Sequence, residues 1–275
     1  MQEFGSVWTT AKLDAIEKYL NSYTMALKKQ HFKLCYIDAF AGSGSIKIKS
    51  GDEILGSPIR ALKFPFDKFH FFEKSHTVIE TLEQKSSEAL NDKDVEFHNE
   101  DCNSFLLEID KKDWMKDNWR GVIFLDLYAM DLEWDCLNKI SATKIFDVWY
   151  FFPFMAVNRN LRKNGKIPPA NRNLLNRILG PDWEQAIYSY SPQMNMFDEK
   201  TFLKENVGTI QQFIIKRLED TFPTVSKQAI LLRNERNSPQ FMLCFAGSNP
   251  GKKARKLSLN IADSILIKLR DENGT

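Results

Sequence analysis

The 275-residue chain is short of several features that would fix its class at once. Its four cysteines, Cys35, Cys102, Cys136 and Cys244, are scattered and form no Cys-x-x-Cys pair. Three of them sit in apolar surroundings, which suits reduced, buried thiols in a cytoplasm better than disulfides or zinc ligands. The four histidines, His31, His70, His76 and His98, show no metal-ligand spacing with Cys or acids, so no metal is expected. No run approaches the roughly 18 apolar residues of a membrane-spanning helix, so no membrane partner is expected. Met1 to Thr10 lacks the basic stretch and apolar stretch of a secretory signal. A dinucleotide fingerprint would need a third glycine at position 47, where the chain has Lys47. No Gly-Lys-Ser/Thr follows the glycine turn, which excludes a P-loop, and the Gly-x-Ser-x-Gly elbow of hydrolases is missing.

What is present is a large apolar inventory. The chain is 43% hydrophobic and 12% aromatic, with 21 Phe, enough to bury a substantial core and to exclude disorder for most of its length. The net charge of +2 conceals a division: residues from Phe151 onward carry 19 Lys/Arg against 11 Asp/Glu, and the first 150 carry 19 against 25. Within the basic half, Asn158 to Arg177 holds Arg159, Arg162, Lys163, Lys166, Arg172 and Arg177 and no acid. Such a stretch is either a solvated face or a surface for phosphates.

Apolar spacing predicts the elements. Leu13, Ile16, Leu20, Tyr23 and Leu27 mark one face of a first helix. Leu34 to Asp38 reads as a buried strand ending in a glycine-rich turn, and Ser57-Pro58 as a helix start with Ser as N-cap. Further strands are expected at Phe69–Phe72, Val95–His98, Gly121–Leu125 and Val148–Phe152, with helices at about Thr77–Leu90 and around Trp134, Leu137 and Ile140. Alternation of strand and helix points to a parallel sheet covered on both faces. Beyond the basic segment, Val207, Ile210, Ile214 and Leu218 mark a helix. Gln228–Leu232 and Phe241–Phe245 follow as an antiparallel hairpin, and Ala254 to Leu269 as a last amphipathic helix.

Four acids, Asp38, Glu73, Asp101 and Asp126, fall at the C-terminal ends of successive strands, the edge where such sheets bind ligands. The turn Asp38-Ala39-Phe40-Ala41-Gly42-Ser43-Gly44 lets the backbone approach a ligand closely; the bland alternative is a tight strand-to-helix connection. Glu73 stands where a carboxylate accepts two ribose hydroxyl hydrogens, or is a solvated strand-end acid. Asp101 reads equally as an acceptor for an adenine amino group or as the N-cap of a helix starting near Asn103. Asp126 and Tyr128 present an acid and an aromatic ring toward a substrate, or are a turn acid and a packed ring.

Taken together, these pieces resemble a class I S-adenosylmethionine (SAM) dependent methyltransferase, and more closely the three-Cys-motif partner family. The resemblance rests on Trp8-x-x-x-Lys12, Tyr36-Ile37-Asp38-x-Phe40-Ala41-Gly42-x-Gly44, Gly56-Ser57-Pro58 and Phe72-Glu73-Lys74. It continues through Phe124-Leu125-Asp126, Phe152-Pro153 with Asn158-Arg159, and Phe245-Ala246-Gly247-Ser248. It implies an α/β fold: a seven-stranded Rossmann-like sheet, mostly parallel, with an antiparallel last strand and helices on both faces. It also implies one domain over 1–275: an N-terminal helix (1–30), a SAM-binding half (31–157), a basic insertion (158–205) and a C-terminal helix, hairpin and helix (206–275).

The resemblance places Asp38, Gly42 and Gly44, with Phe40 in the same turn, around the methionine part of SAM, Glu73 on the ribose and Asp101 by the adenine. Asp126 falls where the methyl acceptor meets the sulfonium. The family pattern there resembles Asp-Pro-Tyr/Phe-Gly, whereas this chain has Asp126-Leu127-Tyr128-Ala129. Two functions are implied. One is methyl transfer to nucleic acid, with Asp126 accepting a base amino hydrogen, Tyr128 stacking on the base, and the Arg159–Arg177 stretch neutralising phosphates. The other is a non-catalytic or weakly catalytic SAM-binding partner subunit of a three-cysteine, radical-SAM-like protein, which the altered turn favours.

Overall fold

In the computed structural model, described for residues 7–48, 51–90, 93–190 and 202–273, apolar residues occupy both parities of the central strands. Along Trp119–Asp126, Val122 and Phe124 join one core while Ile123 and Leu125 join the other. Along Phe146–Phe152, Trp149 and Phe151 face one side, and Val148, Tyr150 and Phe152 the other. A strand with apolar side chains on both faces can only lie inside a sheet sandwiched between helices, and the parallel arrangement supplies those helices as crossovers.

The main sheet is built from β1 (Lys33–Asp38), β2 (Lys68–Phe72), β3 (Asp94–His98), β4 (Trp119–Asp126), β5 (Phe146–Phe152), β6 (Thr224–Val225), β7 (Ile230–Arg233) and β8 (Pro239–Gly247). The order is β6-β8-β5-β4-β1-β2-β3, with β7 also pairing β8. The run from β3 to β5 is parallel throughout. β8 is antiparallel to β5, and β6 and β7 are antiparallel to β8. The fold is Rossmann-like, with the expected antiparallel last strand and one more strand than expected, because the short β6, upstream of the expected hairpin, also pairs with β8.

On one face lie α1 (Val7–Leu27), α2 (Ser57–Ala61), α3 (His76–Ser86) and, past the last strand, the C-terminal helix Lys252–Asn273. The other face is covered by α4 (Cys102–Leu107), α5 (Trp134–Ala142), α6 (Phe154–Asn160), α7 (Pro169–Leu179), α8 (Trp183–Ile187) and α9 (Val207–Thr221). The C-terminal helix is hereafter α10. All four cysteines are free and buried within these layers, and burial pushes every thiol up, Cys136 to about 12. No described helix is long and apolar enough to cross a membrane.

Two local expectations are corrected. The N-cap of α2 is Gly56, with Ser57 and Pro58 already inside the helix. Ser57 does not cap because it is buried and its hydroxyl is committed to Asp38. The helix expected over Thr77–Leu90 ends at Ser86 and closes in a tighter turn over Ser87–Ala89. Residues 1–6 of the N-terminal segment and 191–201 of the basic insertion lie outside the described residues.

Close packing at the sheet centre is sharpest at Gly121 on β4. A Cβ there would lie 2.4 Å from Phe146 Cε1 and 2.7 Å from the Cys35 carbonyl oxygen. Gly121→Ala is therefore expected to destabilise the protein by about 1–3 kcal/mol through overpacking. Urea unfolding monitored by tryptophan fluorescence measures this, and an unchanged midpoint would contradict the packing described.

Candidate functional site at the carboxyl edge of the sheet

Because the sheet faces are sealed, polar side chains emerge at strand ends. Asp38 and Asp126 are the last residues of β1 and β4, which are neighbours in the sheet. Glu73 directly follows β2, and Asp101 stands three residues past β3. After β1 the chain crosses to β2, whereas β4 crosses to β5 on the other side, so the strand order reverses between β1 and β4. That reversal opens the crevice in which doubly wound sheets bind ligands.

Parity turns Asp38 to the same face as Leu34 and Tyr36, beneath α1. It is fully buried, accepting from the Tyr36 hydroxyl at 3.3 Å and the Phe40 N–H at 3.4 Å, with a further bond from Ser57. Burial, assisted by the negative charge of Asp126 and opposed by these three donors, pushes its carboxyl up to about 7. Among the described residues no basic side chain pairs with it. The turn that follows is fastened at both ends: Ala41 N–H donates to the Phe72 carbonyl at 2.9 Å, and Gly56 N–H to that of Gly44 at 2.8 Å. Gly42 and Gly44 both adopt the left-handed region, at φ +62° and +77°. Their roles differ. A Cβ on Gly44 would meet Leu82 at 2.7 Å, so that glycine serves packing against α3. A Cβ on Gly42 would meet nothing within 4 Å, so open space adjoins the backbone there. Phe40 is half-buried in the same turn.

Asp126 is claimed by a residue that the sequence reading quoted only within a motif. Lys12 on α1 reaches its carboxylate at 2.5 Å and lies 4.5 Å from the centre of the Phe151 ring. The signal for Lys12 was the Trp8-x-x-x-Lys12 spacing; the Trp8 side chain lies outside the described residues. Leu127 is buried, and Tyr128 is 57% exposed beside it, so it is no packed core ring. Glu73 is half-buried, and one carboxylate oxygen accepts the Ser75 N–H at 2.8 Å.

Of the two readings of Asp101, the structure shows the N-cap. One oxygen accepts from the Asn103 N–H at 2.9 Å and side-chain amide at 2.7 Å, and the other pairs with Lys74 at 2.9 Å. Burial alone would raise its pKa, but Lys74 and the Asn103 donors outweigh it and hold the carboxyl below the usual range.

The basic stretch forms the end of α6, a connecting loop and α7, next to the Asp126 loop. Asn160 Nδ2 lies 4.0 Å from Met130 Sδ, and Arg177 donates to the Asp131 carbonyl at 3.4 Å. Lys204 anchors its backbone through the carbonyls of Asn158 at 2.8 Å and Leu161 at 3.0 Å. Arg172 is spent on Glu184 and Arg177 reaches Glu133. Arg159, Arg162, Lys163 and Lys166 are exposed and enter no salt bridge among the described residues. Two cavities, of about 580 and 490 Å³, lie elsewhere, one by Glu219 and Arg255 and the other between α1 and α10.

No family model matches the chain, and no curated protein matches it in sequence. Among solved structures, protein LPL1258 of Legionella pneumophila is similar at 14% identity, 92% coverage of both chains and a TM-score of 0.49. A Methanococcus maripaludis protein assigned as an S-adenosylmethionine-dependent methyltransferase is 14% identical, over 90% of this chain and 96% of its own, with a TM-score of 0.40. Trm1 of Pyrococcus horikoshii, solved with S-adenosyl-L-methionine, is 11% identical, over 97% of this chain and 76% of its own, also at 0.40. The fold assignment rests on this chain's own sheet order.

The buried carboxyl of Asp38 links stability to pH. Its pKa of about 7 in the fold exceeds the 3.8 of an unperturbed aspartate, so the unfolded chain loses its proton first as pH rises. Asp38 therefore contributes a stability that is full below about pH 4 and lost progressively as pH rises to about 7. Asp38→Asn is expected to flatten that decline in urea melts between pH 4 and 7; parallel slopes for the two proteins would contradict it.

Proposed function

We propose that the chain is a class I SAM-dependent methyltransferase acting on nucleic acid. The observation that carries the proposal is Asp38, a buried acid at the switch point with no basic partner among the described residues, followed in the same turn by Gly42, whose backbone adjoins open space. A buried carboxyl of that kind suits a cationic ligand, which would favour its ionised form. S-adenosylmethionine, when bound, supplies a methyl group already activated on a sulfonium. The protein's own task is then binding and alignment. In this reading Asp38 faces the methionine amino group, and Phe40, Gly42 and Gly44 form the turn along it. Glu73 takes the ribose hydroxyls. Asp101 meets the adenine through the oxygen that Lys74 now holds, the other being fixed by the helix cap.

Asp126 and Tyr128 stand at the acceptor side. Asp126 accepts a hydrogen from a base amino group and holds it in line, and the exposed Tyr128 ring offers a stacking surface for an unstacked base. The exposed cations Arg159, Arg162, Lys163 and Lys166, with Arg172 and Arg177 behind them in ion pairs, take the phosphates. Contacts of Asn160 and Arg177 in the same segment with Met130 and Asp131, in the loop after Asp126, support a polyanionic acceptor.

One observation favours a second reading. The Lys12–Asp126 ion pair occupies the acid that an acceptor amine would need, and Leu127 and Ala129 replace the family's Pro and Gly. A SAM-binding partner subunit of a three-cysteine, radical-SAM-like protein would keep the cofactor residues and leave Asp126 tied.

Transfer of a labelled methyl group to RNA and DNA separates the two. Wild type is expected to label nucleic acid, with Asp126→Ala reducing the rate at least about a hundredfold. Neutralising Arg159, Arg162 and Lys166 together should reduce the salt slope of binding by somewhat under one per charge lost. Equal, negligible transfer by both proteins, together with an unchanged slope, would favour the partner-subunit reading.

A further inference from the structure

A second cluster lies on the opposite face of the sheet from Asp38. His70 on β2 is registered against Glu96 on β3, and Phe72 against His98. These side chains therefore project to one face, on the α4 side, where Phe105 packs against both imidazoles. His70 Nδ1 lies 3.0 Å from His98 Nε2 and 3.2 Å from a Glu96 carboxylate oxygen, and that oxygen is 3.5 Å from His98 Nε2. We propose that His70, Glu96 and His98 form a binding site for a divalent first-row transition ion such as Zn²⁺. The proposal does not rest on the methyltransferase reading.

Two ligand atoms about 2.0–2.1 Å from a tetrahedral ion stand about 3.3 Å apart. The three separations bracket that value, so the atoms already outline one face of a tetrahedron. Around His98 and Glu96 the surroundings match what orients metal ligands, while the other His70 nitrogen, Nε2, is buried without a hydrogen-bond partner. The other His98 nitrogen, Nδ1, faces Glu100 at 3.5 Å, which directs the Nε2 lone pair into the cluster. Phe72 stacks on the His98 ring at 4.2 Å and fixes its plane. Lys68 holds the second oxygen of Glu96 at 2.5 Å, leaving the first turned toward the imidazoles.

A network of hydrogen bonds alone explains the trio less well. With the His98 proton on Nδ1 toward Glu100, one proton on His70 Nδ1 must serve both His98 Nε2 and the Glu96 oxygen. The 3.5 Å approach of that oxygen to His98 Nε2 then sets lone pair against lone pair. A cation shared by all three removes the conflict. His70 is buried, while Glu96 lies on the edge strand with its side chain 44% exposed, which gives an ion a path in and a place for a water ligand. The separation of 28 residues between the histidines leaves no spacing signal in the sequence, and the proposal departs from the expectation of no metal.

The test uses tag-free, chelator-treated full-length protein titrated with Co²⁺, read by its visible d–d absorption and by competition with Zn²⁺. The expected result is a single site with a four-coordinate spectrum that Zn²⁺ displaces. His98→Ala and Glu96→Gln, both at part-exposed positions, should each weaken binding by more than about tenfold while keeping the wild-type circular dichroism. Glu100→Gln should weaken it less. Absence of a one-to-one site in the wild type, or binding that both variants retain, would overturn the proposal.

Discussion

Burial of the sheet on both faces is the constraint from which the site derives. Every central strand carries apolar side chains at both parities, so a charged group within the sheet is either expelled to a strand end or strongly perturbed. Asp38 shows both outcomes at once. It ends β1 at the switch point, yet α1 and α2 cover it closely enough to push its carboxyl up to about 7. Its neighbour Asp126, equally a strand end, is 18% exposed and is satisfied by a lysine. One crevice thus contains an acid with a cation and an acid without one.

The first helix organises that contrast. Lys12 reaches the carboxyl edge through Asp126, and Tyr19, seven residues or about 10 Å further along the helix, donates to buried Asp147 at 2.7 Å near the start of β5. Asp147, like Asp38, is pushed up to about 7 by burial, with the Tyr19 bond opposing. Two polar contacts at separate points fix how α1 lies across the sheet, while Ile16, Leu20 and Tyr23 supply the apolar contact between and beyond them. The N-terminal helix is therefore part of the crevice wall.

Much of the fold was legible because its signal is local. Apolar runs ending at an acid or a proline marked four of the five parallel strands, the alternation Val95–His98 marked the other, and the spacing of Phe241–Phe245 after Gln228–Leu232 marked the tail hairpin. The hydroxyl of Ser57 misled, since its partner Asp38 is nineteen residues away in sequence and outcompetes the local cap. The site was legible as strand-end acids but not in their ionic partners. Lys12–Asp126, Lys74–Asp101 and Arg172–Glu184 depend on how helices dock, which no spacing encodes. The same limit hid His70 beside His98, because strand register brings them together. Asp147 stood inside an apolar strand, and a lone acid in such a run was the available sign.

The central claim is that the crevice at Asp38 and Gly42 holds S-adenosylmethionine. Isothermal calorimetry with SAM and its demethylated product, on the wild type and Gly42→Val, tests it most directly. The account predicts one site for each ligand in the wild type. Binding should tighten as pH rises through about 7, where Asp38 ionises, and should be lost in Gly42→Val, which places a side chain in the open space and strains the left-handed turn. Failure of both ligands to bind the wild type, or equal affinity in the variant, would contradict it.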